Sequence, residues 1–119
     1  MILVDTSIWV DHLRRTNEKL SALLGNDAVL IHPFVIGELA CGSLHHRQRV
    51  LSGLHEIPLT AVVSNRDVMG FIERNALFGL GIVWIDVHLL AATARTESCQ
   101  LWTRDKRLRL QAERLNISY

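Results

Sequence analysis

No apolar run in this chain of 119 residues approaches the roughly 20 residues that span a bilayer, which excludes a membrane-crossing helix. The opening MILVDTS has no basic start and places an acid at position 5; no signal peptide is expected, and the cytoplasm is the expected compartment. There are only two cysteines, Cys41 and Cys99, with neither a CxxC nor a Cys/His spacing suited to zinc. Both are expected to be reduced, buried thiols. A glycine-rich phosphate loop is missing, which argues against nucleotide binding. Repeats, linkers and low-complexity tracts are also missing, and the length suits one domain over residues 1–119. A net charge of +1 supplies no overall electrostatic drive toward nucleic acid.

What is present is a chain with 49% hydrophobic and 21% charged residues, a balance that folds. ILVD reads as a short apolar strand buried on both faces, and Thr6 or Ser7 can cap the helix after it. NEKLSALLG forms a short helix that stops at Gly25, and AVLIH a strand. Pro33 then opens a helix carrying Glu38 among apolar residues. HHRQRVLSGLHEI is an amphipathic helix, and IPLTAVV is a strand or an extended link. SNRDVMGFIERNALFGLG is expected as one long helix, with Ser64 and Asp67 in a capping-box arrangement and Gly79 and Gly81 ending it. IVWI is expected as a strand, VHLLAATARTES as a helix, QLWT as a strand, DKRLRLQAERL as a helix and NISY as an edge strand. Strands and helices alternate from end to end. The fold class is therefore α/β, with a central parallel sheet of four or five strands flanked by helices.

Four carboxylates stand out: Asp5 in ILVDTS, Glu38 in PFVIGELACG, Asp86 in IVWIDVHLLAA and Asp105 in LWTRDKRL. Asp5, Asp86 and Asp105 each fall at an expected strand-to-helix junction. In a parallel sheet such junctions meet at one edge, where ligand sites form. Each acid has a plain structural alternative. Asp5 and Asp86 could be helix N-caps, Asp105 could be a first-turn acid favoured by the helix dipole after a Thr103 cap, and Glu38, with Phe34, Val35, Cys41 and Gly42 around it, could be partly buried against an arginine. Taken together they point to a divalent cation, because clustered carboxylates repel one another unless a cation holds them. The C-terminal segment adds Arg104, Lys106, Arg107, Arg109 and Arg114 against only two acids, Asp105 and Glu113. This run is either a solvated face or a phosphate-binding one. His88 is expected in the core or at the surface, with substrate contact as the lesser alternative, and His45 and His46 as a solvated helix start. Trp9, Trp84 and Trp102 are expected in the core, with base stacking as the alternative.

These motifs, in this order, resemble the PIN-domain ribonucleases, and within them the VapC toxins of toxin–antitoxin pairs. The similarity runs from MILVDTSIWVDHL to LWTRDKRL. It implies a parallel sheet flanked by helices and a metal-dependent endoribonuclease that leaves 5′-phosphate and 3′-hydroxyl ends. The family's metal-binding acids fall on Asp5, Glu38, Asp86 and Asp105, for one or two Mg²⁺ or Mn²⁺ ions. Thr6, Ser7 and Thr103 would orient those acids or a water, and Arg104, Lys106, Arg107 and Arg109 would hold the RNA backbone. Some PIN domains carry further acids in the last segment, where this chain has Lys106 and Arg107. The resemblance also implies a homodimer, a VapB-like antitoxin that covers the site, and contact with operator DNA only through that antitoxin. Other readings are a PIN nuclease of RNA processing without an antitoxin and an inactive binding domain. A phospho-receiver domain fits poorly because a single acid closes the first strand, and an aspartyl phosphatase because DTS stands where DxD is needed.

Overall fold

The computed structural model describes residues 1–119. Its centre is β1 (Ile2–Val4), whose three residues are all buried. β2 (Val29–Leu30) pairs parallel on one side, with Ile2 opposite Val29, and β3 (Gln100–Trp102) on the other, with Ile2 opposite Gln100. The order β2-β1-β3 puts the first strand in the middle, which is why ILV is apolar on both faces.

The sheet has three strands rather than four or five. Two of the expected extra strands shrink to single parallel bridges at its edges. Ile31 bridges Leu59, with the Thr60 N–H donating to the Ile31 carbonyl, and Leu101 bridges Ser118, with the Leu101 N–H donating to the Ile117 carbonyl. The third, IVWI, joins no sheet at all: its Trp84 and Ile85 begin a helix.

Around the sheet lie α1 (Thr6–Arg14), α2 (Glu18–Gly25), α3 (Pro33–Ala40), α4 (Arg47–His55), α5 (Asn65–Arg74), α6 (Trp84–Arg95) and α7 (Lys106–Arg114). None is long and apolar enough to cross a membrane. α6 runs through the core: Val87 to Thr93 are all buried, so its apolar surface goes all round and a one-sided pattern is lost. α5 packs on α6, α1 on α3 and α3 on α4.

The helix starts follow local chemistry. Asn17 caps α2 by accepting from the Leu20 N–H, and Pro33 opens α3 behind His32, whose Nδ1 accepts from the Phe34 N–H. Ser64 caps α5 as expected, but the Asp67 carboxylate turns outward to Arg95 of α6 at 2.9 Å. α5 also stops at Arg74, well before Gly79. Asn75 bonds its amide back to the Phe71 carbonyl, Ala76 takes a left-handed φ of 50°, and the chain dives inward at buried Leu77. A polar side chain that satisfies the last turn ends a helix without glycine. Cys99 is buried as expected, whereas Cys41, at the solvent end of α3, is exposed.

Candidate active site

β1 delivers Asp5 to the start of α1. Thr6 and Ser7 do not cap this helix. Asp5 does, with its Oδ1 accepting from the Thr6 N–H at 2.8 Å. Its Oδ2 accepts from the Ser7 hydroxyl at 2.8 Å and from the Thr103 hydroxyl at 2.7 Å. Asp5 is thus a buried carboxylate, 6% exposed, with both oxygens satisfied, as burial of a charge requires. The capping role and a functional one are compatible, since both need an ionised group in a fixed orientation.

With Asp5 as cap, the two hydroxyls are free for other work. The Thr6 hydroxyl donates to Glu38 Oε1 at 2.6 Å, tying α1 to α3. The Ser7 hydroxyl also accepts from the Arg104 N–H at 3.1 Å. On the far side, Thr103 Oγ1 accepts from the Asp105 N–H at 3.0 Å, and Asp105 caps α7 by accepting from the Arg107 and Leu108 N–H groups. Three acids on three different elements are therefore laced together by hydroxyls: Glu38 to Thr6, Asp5 to Ser7 and Thr103, Asp105 to Thr103.

Two expectations about these acids change. Glu38 is exposed, not partly buried, because the short α3 turns that face outward and no arginine covers it. Asp86 does not close a strand. It lies in the first turn of α6 and reaches back to accept from the Val83 N–H at 3.1 Å. Burial pushes its carboxyl above the ordinary value, and the charges of Asp5, Asp105 and Glu38 push it the same way, against the Val83 hydrogen bond. Asp86 therefore feels the other three acids, and all four share one electrostatic region. They do so without a preformed grip: no three His, Cys, Asp or Glu side chains converge closely enough to hold an ion as they stand. The donor set is all oxygen and anionic, the kind that takes Mg²⁺ or Mn²⁺ and leaves room for waters.

The basic segment does not act as one patch. Arg104 forms an ion pair with Asp11 of α1, and Arg109 with Glu113 of its own helix at 3.5 Å. The Arg114 guanidinium donates to the Asn75 carbonyl at the end of α5. Lys106 and Arg107 have no carboxylate partner, and the Arg107 side chain lies over Gly81 in the loop before α6. On the other flank of the acids, an apolar groove of about 550 Å³ opens beside Glu38 between α1, α3 and α4, with Val10, Leu13, Leu39 and Val50 among its walls.

Sequence reasoning missed the Thr6–Glu38 contact, although the hydroxyl pair directly after Asp5 was a signal. It also misplaced Trp84, which lies at the first turn of α6 and is 42% exposed. Trp9 is in the core as expected, and Trp102 is half-buried under Lys19. His88 is fully buried, edge-on to Phe34 and Trp84.

A β2-β1-β3 parallel sheet with acids gathered beside its strand ends defines the class, and the chain belongs to the PIN-domain family, whose sequence model matches residues 2–113. Within that family it is similar to Ribonuclease VapC32 of Mycobacterium tuberculosis, in both strain CDC 1551 / Oshkosh and strain ATCC 25618 / H37Rv. Identity to each is 44% over 109 residues, which covers 92% of this chain and 88% of the relative.

Proposed function

We propose that this protein is the ribonuclease toxin of a VapBC-type pair, hydrolysing RNA phosphodiesters at a divalent-cation site formed by Asp5, Glu38, Asp86 and Asp105. The observation that carries the reading is the lacing of Asp5, Glu38 and Asp105 by the Thr6, Ser7 and Thr103 hydroxyls, with Asp86 close enough that burial and then the charges of those three acids push its carboxyl above the ordinary value. Charges of one sign are gathered where a cation would relieve them. Similarity to Ribonuclease VapC32 over 92% of the chain supports the activity class.

When bound, Mg²⁺ or Mn²⁺ lowers the pKa of a coordinated water and neutralises the phosphate under attack. The chain's own residues prepare that site. Ser7 and Thr103 aim Asp5 Oδ2, and Thr6 holds Glu38 toward α1. Asp86 and Asp105 are braced by backbone N–H groups. Lys106 and Arg107 are free to meet backbone phosphates, whereas Arg104 and Arg109 must first leave Asp11 and Glu113. The apolar groove beside Glu38 suits the C-terminal segment of a VapB-like antitoxin, which would bring the toxin to operator DNA. A homodimer in the cytoplasm completes the reading.

The test is incubation of purified protein with total RNA in Mg²⁺ or Mn²⁺, with EDTA and Asp5→Asn as controls. Discrete products that vanish in both controls are expected. Undiminished cleavage by Asp5→Asn and Asp86→Asn would overturn the assignment. Rescue of growth by the adjoining small gene tests the antitoxin separately.

A further inference from the structure

Trp84 belongs in the core by its sequence setting, yet it stands at the surface. The residue is 42% exposed, and Val83 beside it is 62% exposed. Neither is loose. The Val83 N–H is fixed by Asp86 Oδ2 at 3.1 Å, so Trp84 lies inside the turn that this bond closes. The indole meets the buried His88 ring in a T-shaped contact, with centroids 4.7 Å apart and planes at 83°. His88 in turn meets Phe34 at 4.8 Å. The aromatic residue is thus anchored from the core side and partly open to solvent, in the same first turn of α6 as Asp86.

A cation lies on the loop that leads into it. In the same loop, Gly81 has φ +76°, and a Cβ built there would meet Arg107 Nη1 at 2.7 Å. The guanidinium therefore lies directly on the loop backbone, and neither it nor Lys106 has a carboxylate partner.

We propose that Trp84 and Arg107 form a stacking and phosphate-binding platform for single-stranded RNA, with an unpaired base on the indole beside the bond being cut. The proposal rests on the ribonuclease reading and adds the two side chains that would take the strand at this end of the site. A base has an accessible face for stacking only when it is out of a helix, so an exposed aromatic at the end of a loop that carries a free cation suits a single strand better than a duplex. A second copy of this chain is a poorer occupant, since it would bring the same unpaired Lys106 and Arg107 to the face. A phosphate chain complements them.

The test uses the Asp5→Asn chain in Mg²⁺, so that RNA is held but not cut; asparagine keeps the helix cap. Oligouridylate should quench tryptophan emission. Adding Trp84→Ala should weaken binding roughly 5- to 100-fold, Trp84→Phe should restore most of it, and duplex RNA should compete poorly. The platform is overturned if Trp84→Ala binds oligouridylate as its parent does, or if duplex competes equally. It is also overturned if sedimentation shows Trp84→Ala breaking a dimer with RNA affinity unchanged, which would make this face an interface between copies. The wild-type chain is assayed for cleavage of total RNA in parallel. Cleavage without Trp84-dependent binding sinks the platform alone. Neither cleavage nor binding sinks the ribonuclease reading and the platform together.

Discussion

The Thr103 hydroxyl donates to Asp5 Oδ2 at 2.7 Å across 98 positions of sequence, and Thr103 Oγ1 in turn accepts from the Asp105 N–H. One threonine at the end of β3 thereby sets the orientation of the acid at the end of β1 and the approach of the acid opening α7. Replacing it with the near-isosteric valine removes one donor from a buried carboxylate. Thr103→Val should cost about 1–3 kcal/mol of stability and roughly 10- to 100-fold in metal affinity or cleavage. Ser7→Ala should act in the same direction but less, because Thr103 remains. Calorimetry and metal titration check both; unchanged metal affinity in Thr103→Val would remove the threonine from the site.

Asp86 gives a prediction of opposite sign for stability. Its carboxyl is held above the ordinary value of 3.8, first by burial and then by Asp5, Asp105 and Glu38. The folded state therefore favours the protonated form, and the contribution of Asp86 to stability falls as pH rises through the carboxylate range. Asp86→Asn keeps an acceptor for the Val83 N–H and deletes the disfavoured charge. It should raise Tm at neutral pH while abolishing cleavage. Mg²⁺ or Mn²⁺ should raise the Tm of the parent, because a ligand bound only by the folded state stabilises it, and should do so far less in Asp86→Asn. A lower Tm in the variant, with an undiminished cation effect, would contradict the electrostatic account.

How far the sequence could be read depended on whether the deciding contact was local. The strand before Asp5 is a continuous apolar run, Pro33 opens a helix and Ser64 caps one; each signal acts within a few residues, and each element formed. Asp86 lies near the other acids, but not at the strand end where it was expected. IVWI is too short for periodicity to separate strand from helix, and the deciding bond, Asp86 back to Val83, makes it the start of α6. Glu38 was expected among apolar neighbours, but its exposure depends on how α3 sits against α1 and α4, a tertiary matter. The basic run read as one feature because sequence shows charges without their partners. Asp11 and Glu113 claim two of its arginines only once the helices are in place.

His32 should make the protein acid-sensitive. It is fully buried at the start of α3, its Nδ1 accepting from the Phe34 N–H. Burial, and then the nearby His88, lower its pKa from 6.5 to about 4. Because the folded value lies below the unfolded one, the unfolded chain takes up the proton first. Stability is intact above pH 6.5 and declines as pH falls toward about 4, by roughly 3 kcal/mol in all. His32→Asn retains a capping acceptor and removes the titration. It should be less stable than the parent at neutral pH, from lost packing, but its denaturant midpoint should change less over that pH range. Parallel acid profiles for the two proteins would exclude His32 as the cause.

Gly79 and Gly81 form a matched pair for the loop ahead of α6. Both have left-handed backbones, φ +69° and +76°, but a Cβ at Gly79 meets nothing within 4 Å, whereas one at Gly81 meets Arg107 Nη1 at 2.7 Å. Each alanine substitution should therefore cost a similar amount of stability, about 1 kcal/mol, for the positive φ alone. Only Gly81→Ala should also displace the Arg107 guanidinium, a flexible group that moves rather than unfolding the loop. RNA affinity should consequently fall in Gly81→Ala and hold in Gly79→Ala, with the dependence of binding on salt shallower in the first because one phosphate contact is lost. Filter binding of a single-stranded RNA across a salt series, done on both variants, reads the difference directly. Equal affinities and equal salt slopes would show that Arg107 does not touch the strand where Gly81 holds it.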